Sequence, residues 1–264
     1  MSMHISPGKK IYFLSDFHLG APNAEQSLQR EKLLVRFLNE IEPTAASIFI
    51  VGDMFDFWYE YTKVVPRGYT RILGKLAQLT DSGIPIHFFV GNHDMWMNNY
   101  LQQELNIPVY FEPKAFELGG KKFWIGHGDG LGPGDGGYKA LKKVFRNPVC
   151  QTLFGMIPPA IGIGVADYFS RKSRAKGGGK EEVWLGEERE WLITYCKELM
   201  ASGKNFDFFV FGHRHLPIDF RLNSTSRYIN LGDWIRYFTY ATFDGADVSV
   251  QSYTGMEHKI VRNW

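Results

Sequence analysis

Five short apolar segments of this chain each end in a cluster of Asp, Asn, Gly and His residues. The clusters read SDFH, VGDMFD, VGNHD, IGHGD and FGHRH, and they hold five of the eight histidines in the sequence. One histidine after a strand is usually a structural residue, whereas five clusters at one sheet edge would form a shared polar site. The adjacent glycines let the backbone approach such a site closely. The histidines concerned are His18, His93, His127, His213 and His215.

These clusters offer the chemistry of a divalent metal centre. Their ligand atoms are nitrogen and oxygen, which suits Mn, Fe, Zn or Mg. The two cysteines, Cys150 and Cys196, have no CxxC partner and are expected to be reduced structural thiols. The donors suffice for two ions, which Asp53 could bridge because each carboxylate oxygen can hold one. Two ions about 3.5–4 Å apart would generate a hydroxide near neutral pH and stabilise a phosphoryl transition state.

The elements that must position these clusters alternate along the chain. Apolar runs predict strands at 10–16, 47–53, 85–94, 121–129 and 206–215. Amphipathic spacing predicts helices at 25–41, 69–81 and roughly 182–200. The tail, 218–260, alternates aromatic and β-branched runs with turn residues, which predicts antiparallel strands. The pattern is α/β, and its ligand site is expected at the carboxyl ends of the strands.

The charge of the chain is concentrated in one segment. The 264 residues carry a net charge of +2, but nine Lys or Arg and a single acid between Lys139 and Lys180 give that segment +8 and leave −6 elsewhere. Such a split predicts an anionic partner: phosphate, nucleic acid or a membrane surface. The N-terminus lacks the long apolar core of a signal peptide, so a cytoplasmic location is expected.

The order of the five clusters resembles the signature of the calcineurin-like metallophosphoesterases. This resemblance implies one domain over residues 1–264, an α/β fold in which a four-layer α/β/β/α sandwich carries a helical lid insertion at about 131–181. It also implies two divalent metal ions. The matching motifs are Asp16-X-His18, Gly52-Asp53, Gly91-Asn92-His93-Asp94, Gly126-His127 and Gly212-His213-X-His215.

The same resemblance assigns roles to these residues. His93 would stabilise the transition state or protonate the leaving group, and Asp94 would orient it. The first ion would be held by Asp16, His18, Asp53 and His215, and the second by Asp53, Asn92, His127 and His213.

Three further stretches and one tripeptide resemble the UDP-2,3-diacylglucosamine diphosphatases of lipid A synthesis. They are GDMFDFW (52–58), HGDGLGPGDGGYK (127–139), NPVCQTLF (147–154) and GDW (232–234). The resemblance implies a Mn²⁺-dependent enzyme, peripheral to the cytoplasmic face of the inner membrane, that splits a lipid-linked UDP-sugar into UMP and 2,3-diacylglucosamine 1-phosphate. It implies substrate contacts at Asp135, Tyr138, Ser173 and Lys180. Asn92, His93 and Arg214 are expected to contact the substrate as well.

The chain departs from the enterobacterial pattern of that family in two motifs. GNHD stands where that branch has GNRD, so His93 replaces an arginine expected to meet substrate phosphate. GHRH stands where that branch has GHTH, and Arg214, expected to be exposed, could supply the missing positive charge. Both departures leave the predicted metal ligands in place and affect only the expected nucleotide contacts.

An uncharged stretch of twenty residues, Asn147–Ala166, lies between two strands whose ends carry predicted ligands. Its prolines and glycines argue against one straight membrane-spanning helix. A membrane span would also separate His127 from His213. The stretch is therefore predicted to form broken apolar helices that shelter lipid chains and dip into the membrane surface, followed by a basic run that meets anionic headgroups or the diphosphate.

Two other functions are compatible with these motifs. A nuclease or general phosphodiesterase of the same superfamily could use the basic segment to follow a nucleic-acid backbone. The basic residues flank an apolar stretch, however, and do not alternate with stacking aromatics, so no nucleic-acid partner is expected. An inactive membrane-binding scaffold is disfavoured because every predicted ligand position is filled. Nothing in the sequence predicts a protein partner.

Overall fold

Two β-sheets form the centre of the protein, and the computed structural model describes residues 2–134, 136–166, 168 and 183–264. One sheet has six strands, in the order β12-β11-β2-β3-β4-β5, and the other has seven, in the order β1-β6-β7-β8-β10-β9-β13. The strands are β1 (Ser2–Met3), β2 (Lys10–Leu14), β3 (Ala45–Val51), β4 (Ile86–Phe89), β5 (Val109–Tyr110), β6 (Lys114–Leu118), β7 (Lys121–Ile125), β8 (Phe208–Phe211), β9 (Pro217–Arg221), β10 (Arg227–Leu231), β11 (Thr239–Phe243), β12 (Val248–Ser252) and β13 (Val261–Arg262).

The helices lie between and beside these strands. Asn23 caps the first helix, since its side chain accepts the N–H of Gln26 at 2.9 Å. Short 3₁₀ turns occur at Glu42–Thr44, Glu187–Arg189 and Glu257–Lys259. The α-helices are α1 (Ala24–Ile41), α2 (Thr70–Asp81), α3 (Tyr100–Leu105), α4 (Gly136–Phe145), α5 (Pro148–Gly155), α6 (159–166) and α7 (Trp191–Ala201).

Each sheet contains a parallel run of strands that carries the predicted site. In the six-stranded sheet, β2, β3, β4 and β5 are parallel, with Phe13 opposite Phe49 and Phe49 opposite His87. In the seven-stranded sheet, β7, β8 and β10 are parallel, while β6 runs antiparallel to β7 and β9 runs antiparallel to β10. Parallel strands place their carboxyl ends at one edge, so the polar clusters after them gather there.

The apolar core has three parts, which lie between the four layers of the fold: helices, sheet, sheet and helix. Apolar side chains of both sheets meet between them, and stacked rings such as Phe13 and Phe123 (centroids 5.7 Å apart) cross this interface. Helices α1 to α3 cover the outer face of the six-stranded sheet. Helix α7 covers the outer face of the seven-stranded sheet with Leu192, Ile193 and Cys196. The predicted α/β/β/α sandwich is therefore confirmed.

Several element boundaries differ from the sequence predictions. The strands end two to five residues before the ends of the predicted runs, because the polar clusters form turns and not strand. The helix predicted from about 182 begins at Trp191, after an irregular stretch and a 3₁₀ turn. The strands β1, β5 and β6 were not predicted, because β1 and β5 have two residues each and the largely exposed β6 lacks a continuous apolar run. In the tail, β9–β10 and β11–β12 are antiparallel as predicted, but β13 pairs parallel to β9.

The uncharged stretch forms two short helices, as predicted. Helix α5 ends at Gly155 and helix α6 starts at residue 159, with the break at 156–158 next to Pro158 and Pro159. Among the residues that the structure describes, no helix is long and apolar enough to cross a bilayer.

Candidate metal centre

The polar clusters lie in turns whose backbones are tied together across strand ends. The N–H of Asp16 donates to the Gly52 carbonyl oxygen at 3.1 Å, and the N–H of His18 donates to that of Asp53 at 3.0 Å. Five predicted ligands have positive φ, which is strained for residues with a Cβ and is typical of functional sites. They are Asp16 (55°), His18 (44°), Asp53 (51°), His213 (68°) and His215 (52°).

Four side chains from both sheets converge on the first predicted metal position. The Nε2 atoms of His18 and His215 are 3.2 Å apart. His18 Nε2 lies 3.6 Å from Asp53 Oδ2, and His215 Nε2 lies 3.4 Å from Asp16 Oδ1. The structure thus brings together all four residues predicted for this position.

The second predicted position is equally compact and shares Asp53 with the first. His127 Nε2 lies 3.3 Å from Asp53 Oδ2 and 3.2 Å from Asn92 Oδ1. His213 Nδ1 lies 2.9 Å from the same Asn92 oxygen. Asp53 Oδ2 is therefore the atom common to both donor clusters, so one oxygen faces both positions where the sequence analysis expected one oxygen for each.

The residues present fit a pair of divalent cations. Asp16 Oδ1 is buried and accepts no hydrogen bond from the described residues, which is costly for a carboxylate oxygen. Donor atoms of Asp16, His18 and His215 lie within 4.8 Å of one another, as do those of Asp16, Asp53 and His127. Imidazole, carboxylate and amide donors without sulfur match Mn²⁺, Fe, Zn²⁺ or Mg²⁺.

Two of the histidines are fixed by hydrogen bonds on the side away from the centre. His127 Nδ1–H donates to the Val51 carbonyl oxygen at 2.9 Å, and His215 Nδ1–H donates to Asp233 Oδ2 at 3.3 Å. Such bonds set the tautomer that leaves Nε2 as the ligand atom. Asp233 belongs to the GDW tripeptide, and its role was not predicted because it depends on a neighbour eighteen residues away.

His93 and Asp94 lie beside these clusters, but Asp94 has a different role from the one predicted. His93 Nδ1–H donates to the Asp56 carbonyl oxygen at 3.0 Å, and its ring packs edge-on against that of His18, with centroids 4.7 Å apart. The Asp94 carboxylate accepts the N–H groups of Gly91 (2.6 Å) and Met54 (2.8 Å). Asp94 thus joins two motifs through their backbones, while Asp56, which the sequence analysis did not single out, orients the His93 ring.

Burial dominates the ionisation of His18 and His213. It lowers the pKa of His18 well below its usual value and that of His213 to about 3, so both are neutral donors. Burial also opposes the charge of His215, but Asp16 and Asp233 raise its pKa to about 9. A proton held at His215 Nε2 occupies a place where a cation would bind, since ligation requires the neutral ring.

Two buried carboxylates differ in their ionisation, since Asp53 is ionised and Asp94 is partly protonated near neutral pH. Burial opposes the ionisation of Asp53, but His127 and His93 hold its pKa well below the usual range. Burial, together with the charge of Asp53, raises the pKa of Asp94 to about 7. Asp53 is therefore the anion available for cations, while Asp94 acts as a buried hydrogen-bond acceptor.

The predicted substrate residues are only partly placed by the structure. Asn92 and His93 line the centre, whereas Asp135, Ser173 and Lys180 lie outside the described residues. Arg214 was expected to be exposed, and this was wrong. It is only 9% exposed, because its Nε donates to Glu190 Oε2 at 3.0 Å and its guanidinium lies over the Trp191 ring.

Tyr138 lies at the base of the insertion, close to a predicted ligand. Its hydroxyl donates to Asp129 Oδ2 at 2.6 Å, and Lys142 Nζ lies 2.5 Å from the same oxygen. Asp129, two residues after His127, is buried and thereby ties helix α4 to the metal-ligand turn. The sequence analysis quoted Asp129 in its motif but gave it no role, because its partners lie in the next helix.

Helices α5 and α6 lie over an aromatic part of the core near the centre. Phe154 of α5 packs against Trp96 and Tyr59, with ring centroids 4.6 and 4.8 Å apart. A cavity of about 430 Å³ opens between α6 and the loop after β3, with Phe57 and Tyr69 on its core side. The outer surface of α4 to α6 exposes large apolar side chains: Leu141, Val144, Val149, Leu153, Met156, Ile157, Ile161 and Val165.

Comparison with known proteins agrees with this geometry. The model of the calcineurin-like phosphoesterase family matches residues 9–217. A UDP-2,3-diacylglucosamine hydrolase of Porphyromonas gingivalis is 41% identical over 259 residues, which cover 94% of this chain and 99% of that protein. The enzyme of the same name from Yersinia pseudotuberculosis is 28% identical over 208 residues, covering 78% of this chain and 81% of its own length.

Among solved structures, a dimetal phosphatase from Danio rerio is similar at a TM-score of 0.41 and 11% identity, over 94% of this chain and all of that chain. The family assignment depends instead on the match over residues 9–217 and on the relative that is 41% identical. The turns that gather Asp16, Asp53, Asn92, His127 and His213 fall within that matched range. This chain is a metal-dependent hydrolase that belongs to the calcineurin-like phosphoesterase family.

Proposed function

We propose that this chain hydrolyses the diphosphate bond of UDP-2,3-diacylglucosamine and releases UMP and 2,3-diacylglucosamine 1-phosphate. The observation that carries the proposal is a centre in which Asp53 Oδ2 belongs to two donor clusters, in a chain 41% identical over nearly its whole length to a hydrolase of that name. The substrate is thus taken from the relative, and the capacity for phosphoester hydrolysis from the site.

The proposed ions are two Mn²⁺. The first would be held by Asp16, His18, Asp53 and His215, and the second by Asp53, Asn92, His127 and His213. When bound, such ions polarise phosphoryl oxygens and lower the pKa of water. Asp53, ionised and 1% exposed, is the residue that would share its negative charge between both.

The proposed reaction is attack of water on the phosphorus that bears uridine, with the sugar 1-phosphate as leaving group. His93 is the candidate for moving a proton at the leaving oxygen, since its side chain is 17% exposed and lies against the metal cluster. Its Nδ1–H is bonded to the Asp56 carbonyl oxygen, which fixes the orientation of the ring beside the cluster. Asp94 supports the turn of His93 by accepting two backbone N–H groups.

The insertion is the proposed site of the sugar and its acyl chains, within a single domain whose lid spans about 131–181. Tyr138 is held 2.6 Å from Asp129 beside the ligand turn, which supports a contact of this tyrosine with the sugar or diphosphate. Asp135, Ser173 and Lys180 are proposed as further contacts. The cavity between α6 and Phe57 combines apolar side chains such as Phe57 and Ile163 with Arg67, a mixed lining that suits the junction of an acyl chain and its sugar.

We further propose that the enzyme is cytoplasmic and binds the inner-membrane surface peripherally. Helices α4 to α6 expose contiguous apolar side chains, and Lys143 is exposed among them. A surface of this composition lies at the headgroup boundary, where basic residues meet anionic lipids.

A substrate comparison tests the function. The purified protein should release UMP from UDP-2,3-diacylglucosamine with Mn²⁺ and should release none with a chelator. Its kcat/KM for bis(p-nitrophenyl) phosphate should be far lower. Equal turnover of both compounds would favour a general phosphodiesterase, and metal-loaded protein that forms no UMP would contradict the proposed substrate.

A further inference from the structure

Arg214 lies between two predicted ligands, His213 and His215, yet its side chain turns away from them. Its Nε donates to Glu190 Oε2 at 3.0 Å, and its guanidinium carbon lies 5.0 Å from the centre of the Trp191 ring. Arg214 is 9% exposed and Glu190 is 2% exposed, so this is a buried ion pair. Buried pairs are costly to break, because the remaining charge is left without compensation.

The pair belongs to a chain of hydrogen bonds that returns to its own turn. The hydroxyl of Tyr228 donates to Glu190 Oε1 at 3.4 Å, and Asn230 Nδ2 donates to that hydroxyl oxygen at 3.3 Å. Asn230 Nδ2 also donates to the Gly212 carbonyl oxygen at 2.5 Å. Tyr228 and Asn230 are fully buried. The GHRH motif is thus held at Gly212 through its backbone and at Arg214 through its side chain.

The turn held in this way is a strained one. The N–H of Arg214 donates to the Gly212 carbonyl oxygen at 2.8 Å, which closes a three-residue turn around His213, where φ is +68°. A turn of this hand and size is rare and persists only where its surroundings enforce it. His215, with φ of +52°, continues the same distortion.

We propose that Arg214 and Glu190 are positioning residues, a buried pair that holds the strained turn so that His213 and His215 present their ring nitrogens to the metals. The pair also connects this turn to the start of α7, where the chain returns from the insertion. The inference depends on the metal-ligand roles of the proposed function. In this role, the arginine of GHRH supports the metal-ligand turn, where the sequence analysis expected it to contact the substrate.

A double-mutant cycle on Mn²⁺ binding tests the pair. The Kd for Mn²⁺ is measured by calorimetry on metal-free wild type, Arg214→Thr, Glu190→Gln and the double variant, each verified as folded by circular dichroism. Each single change should raise the Kd about tenfold, the range found when the outer support of a metal ligand is removed. The Kd of the double variant should be no higher than the higher of the two single-variant values, because both changes remove the same interaction.

Conservative and control variants complete the test. Arg214→Lys should recover part of the affinity, and it replaces Arg214→Thr in the cycle if the latter does not fold. Arg227→Lys is the control, since Arg227 pairs with buried Asp219 in the same sheet and contacts no predicted ligand. It should lower the stability of the metal-free protein and leave the Kd unchanged.

Three results would overturn the inference. Folded Arg214 and Glu190 variants with the Kd of the wild type would show a role in stability alone. A rise in KM with an unchanged Kd would instead place Arg214 on the substrate. A wild-type protein that binds no Mn²⁺ would overturn the proposed metal centre itself, and this inference with it.

Discussion

Asp53 connects the two halves of the centre through a single oxygen atom. Its Oδ2 faces His18 and His127, while its Oδ1 accepts the N–H of His93 at 2.9 Å. It is 1% exposed, and its φ of 51° is strained. The neighbouring histidines keep it ionised, so its negative charge is the one feature that an isosteric amide would remove.

Asp53→Asn should therefore raise the Kd for Mn²⁺ by more than about tenfold and abolish most turnover, because an amide oxygen carries no charge to share between cations. The measurement is calorimetric titration of the metal-free protein, followed by assay at saturating Mn²⁺. Asp247→Asn, an exposed acid paired with Arg227, is the control and should change neither quantity. Unchanged affinity in Asp53→Asn would contradict the bridging role.

Gly91 is required by the position of Asp53. A Cβ at Gly91 would lie 2.1 Å from Asp53 Oδ1 and 2.6 Å from its backbone nitrogen, which no rotamer change can relieve. Gly91→Ala should lower the free energy of unfolding of the metal-free protein by about 1–3 kcal/mol and weaken Mn²⁺ binding.

The matched control is Gly74 of α2, where an added Cβ meets nothing within 4 Å. Gly74→Ala should stabilise the protein by about 0.5–1 kcal/mol in the same urea titration. If Gly91→Ala were as stable as Gly74→Ala, the strand ends would not be packed as described.

At the scale of elements, the interface between the two sheets contains one buried titratable ring. His87 of β4 stacks on Phe49 at 4.6 Å, and its Nδ1 lies 3.1 Å from the Tyr110 hydroxyl. Burial, with a smaller effect of Lys114, lowers its pKa to about 4. The unfolded chain binds this proton from about pH 6.5 downward, so stability is full above that value and decreases as pH falls towards 4.

Wild type should consequently lose about 2 kcal/mol more unfolding free energy than His87→Phe when the pH is lowered from 7.5 to 5. Urea titrations of both metal-free proteins give the difference. The other histidines are present in both proteins, so their contributions to the pH dependence cancel. Parallel losses in the two proteins would show that His87 is not buried in its neutral form.

The short helix α5 is joined to the core mainly by one aromatic side chain. Phe154 contacts Trp96, Tyr59 and Phe57, and the hydroxyl of Tyr59 donates to the Gln151 carbonyl oxygen at 2.7 Å. Phe154→Ala should lower kcat/KM for UDP-2,3-diacylglucosamine about tenfold, because roughly 1–2 kcal/mol of substrate positioning is lost. Its kcat/KM for bis(p-nitrophenyl) phosphate should be unchanged.

Thr152→Ala, on the exposed side of the same helix, provides the comparison and should leave both substrates unaffected. Equal losses on both substrates in Phe154→Ala would mean that α5 supports the metal centre and not the lipid end of the substrate.

Across the whole molecule, the sequence predicted the four layers and the metal ligands better than the residues that hold those ligands in place. Ligands such as Asp16 and His127 directly follow apolar runs, so local pattern and the geometry of parallel strands suffice to bring them together. Asp233, Asp129 and Asp56 act through partners that only the tertiary fold supplies. The burial of Arg214 likewise depends on Glu190, which no local pattern reveals.

The uneven charge of the molecule predicts how it meets a membrane. The basic segment and the apolar surface of α4 to α6 should give binding to vesicles that contain phosphatidylglycerol, weaker binding to phosphatidylcholine alone, and release at high salt. Lys143→Glu changes the charge by two units and should weaken vesicle binding about thirtyfold, at roughly 1 kcal/mol per charge. Co-sedimentation measures this, with Lys204→Glu as the distant control, and equal binding of the two variants would contradict the proposed membrane surface.

Hydrolysis in ¹⁸O-labelled water tests the central claim most directly, because it reports both the bond cleaved and the phosphorus attacked. Metal-loaded protein incubated with UDP-2,3-diacylglucosamine should release UMP that carries one ¹⁸O in its phosphate, with unlabelled 2,3-diacylglucosamine 1-phosphate, as read by mass spectrometry. Label in the sugar phosphate, or no UMP at all, would contradict the account.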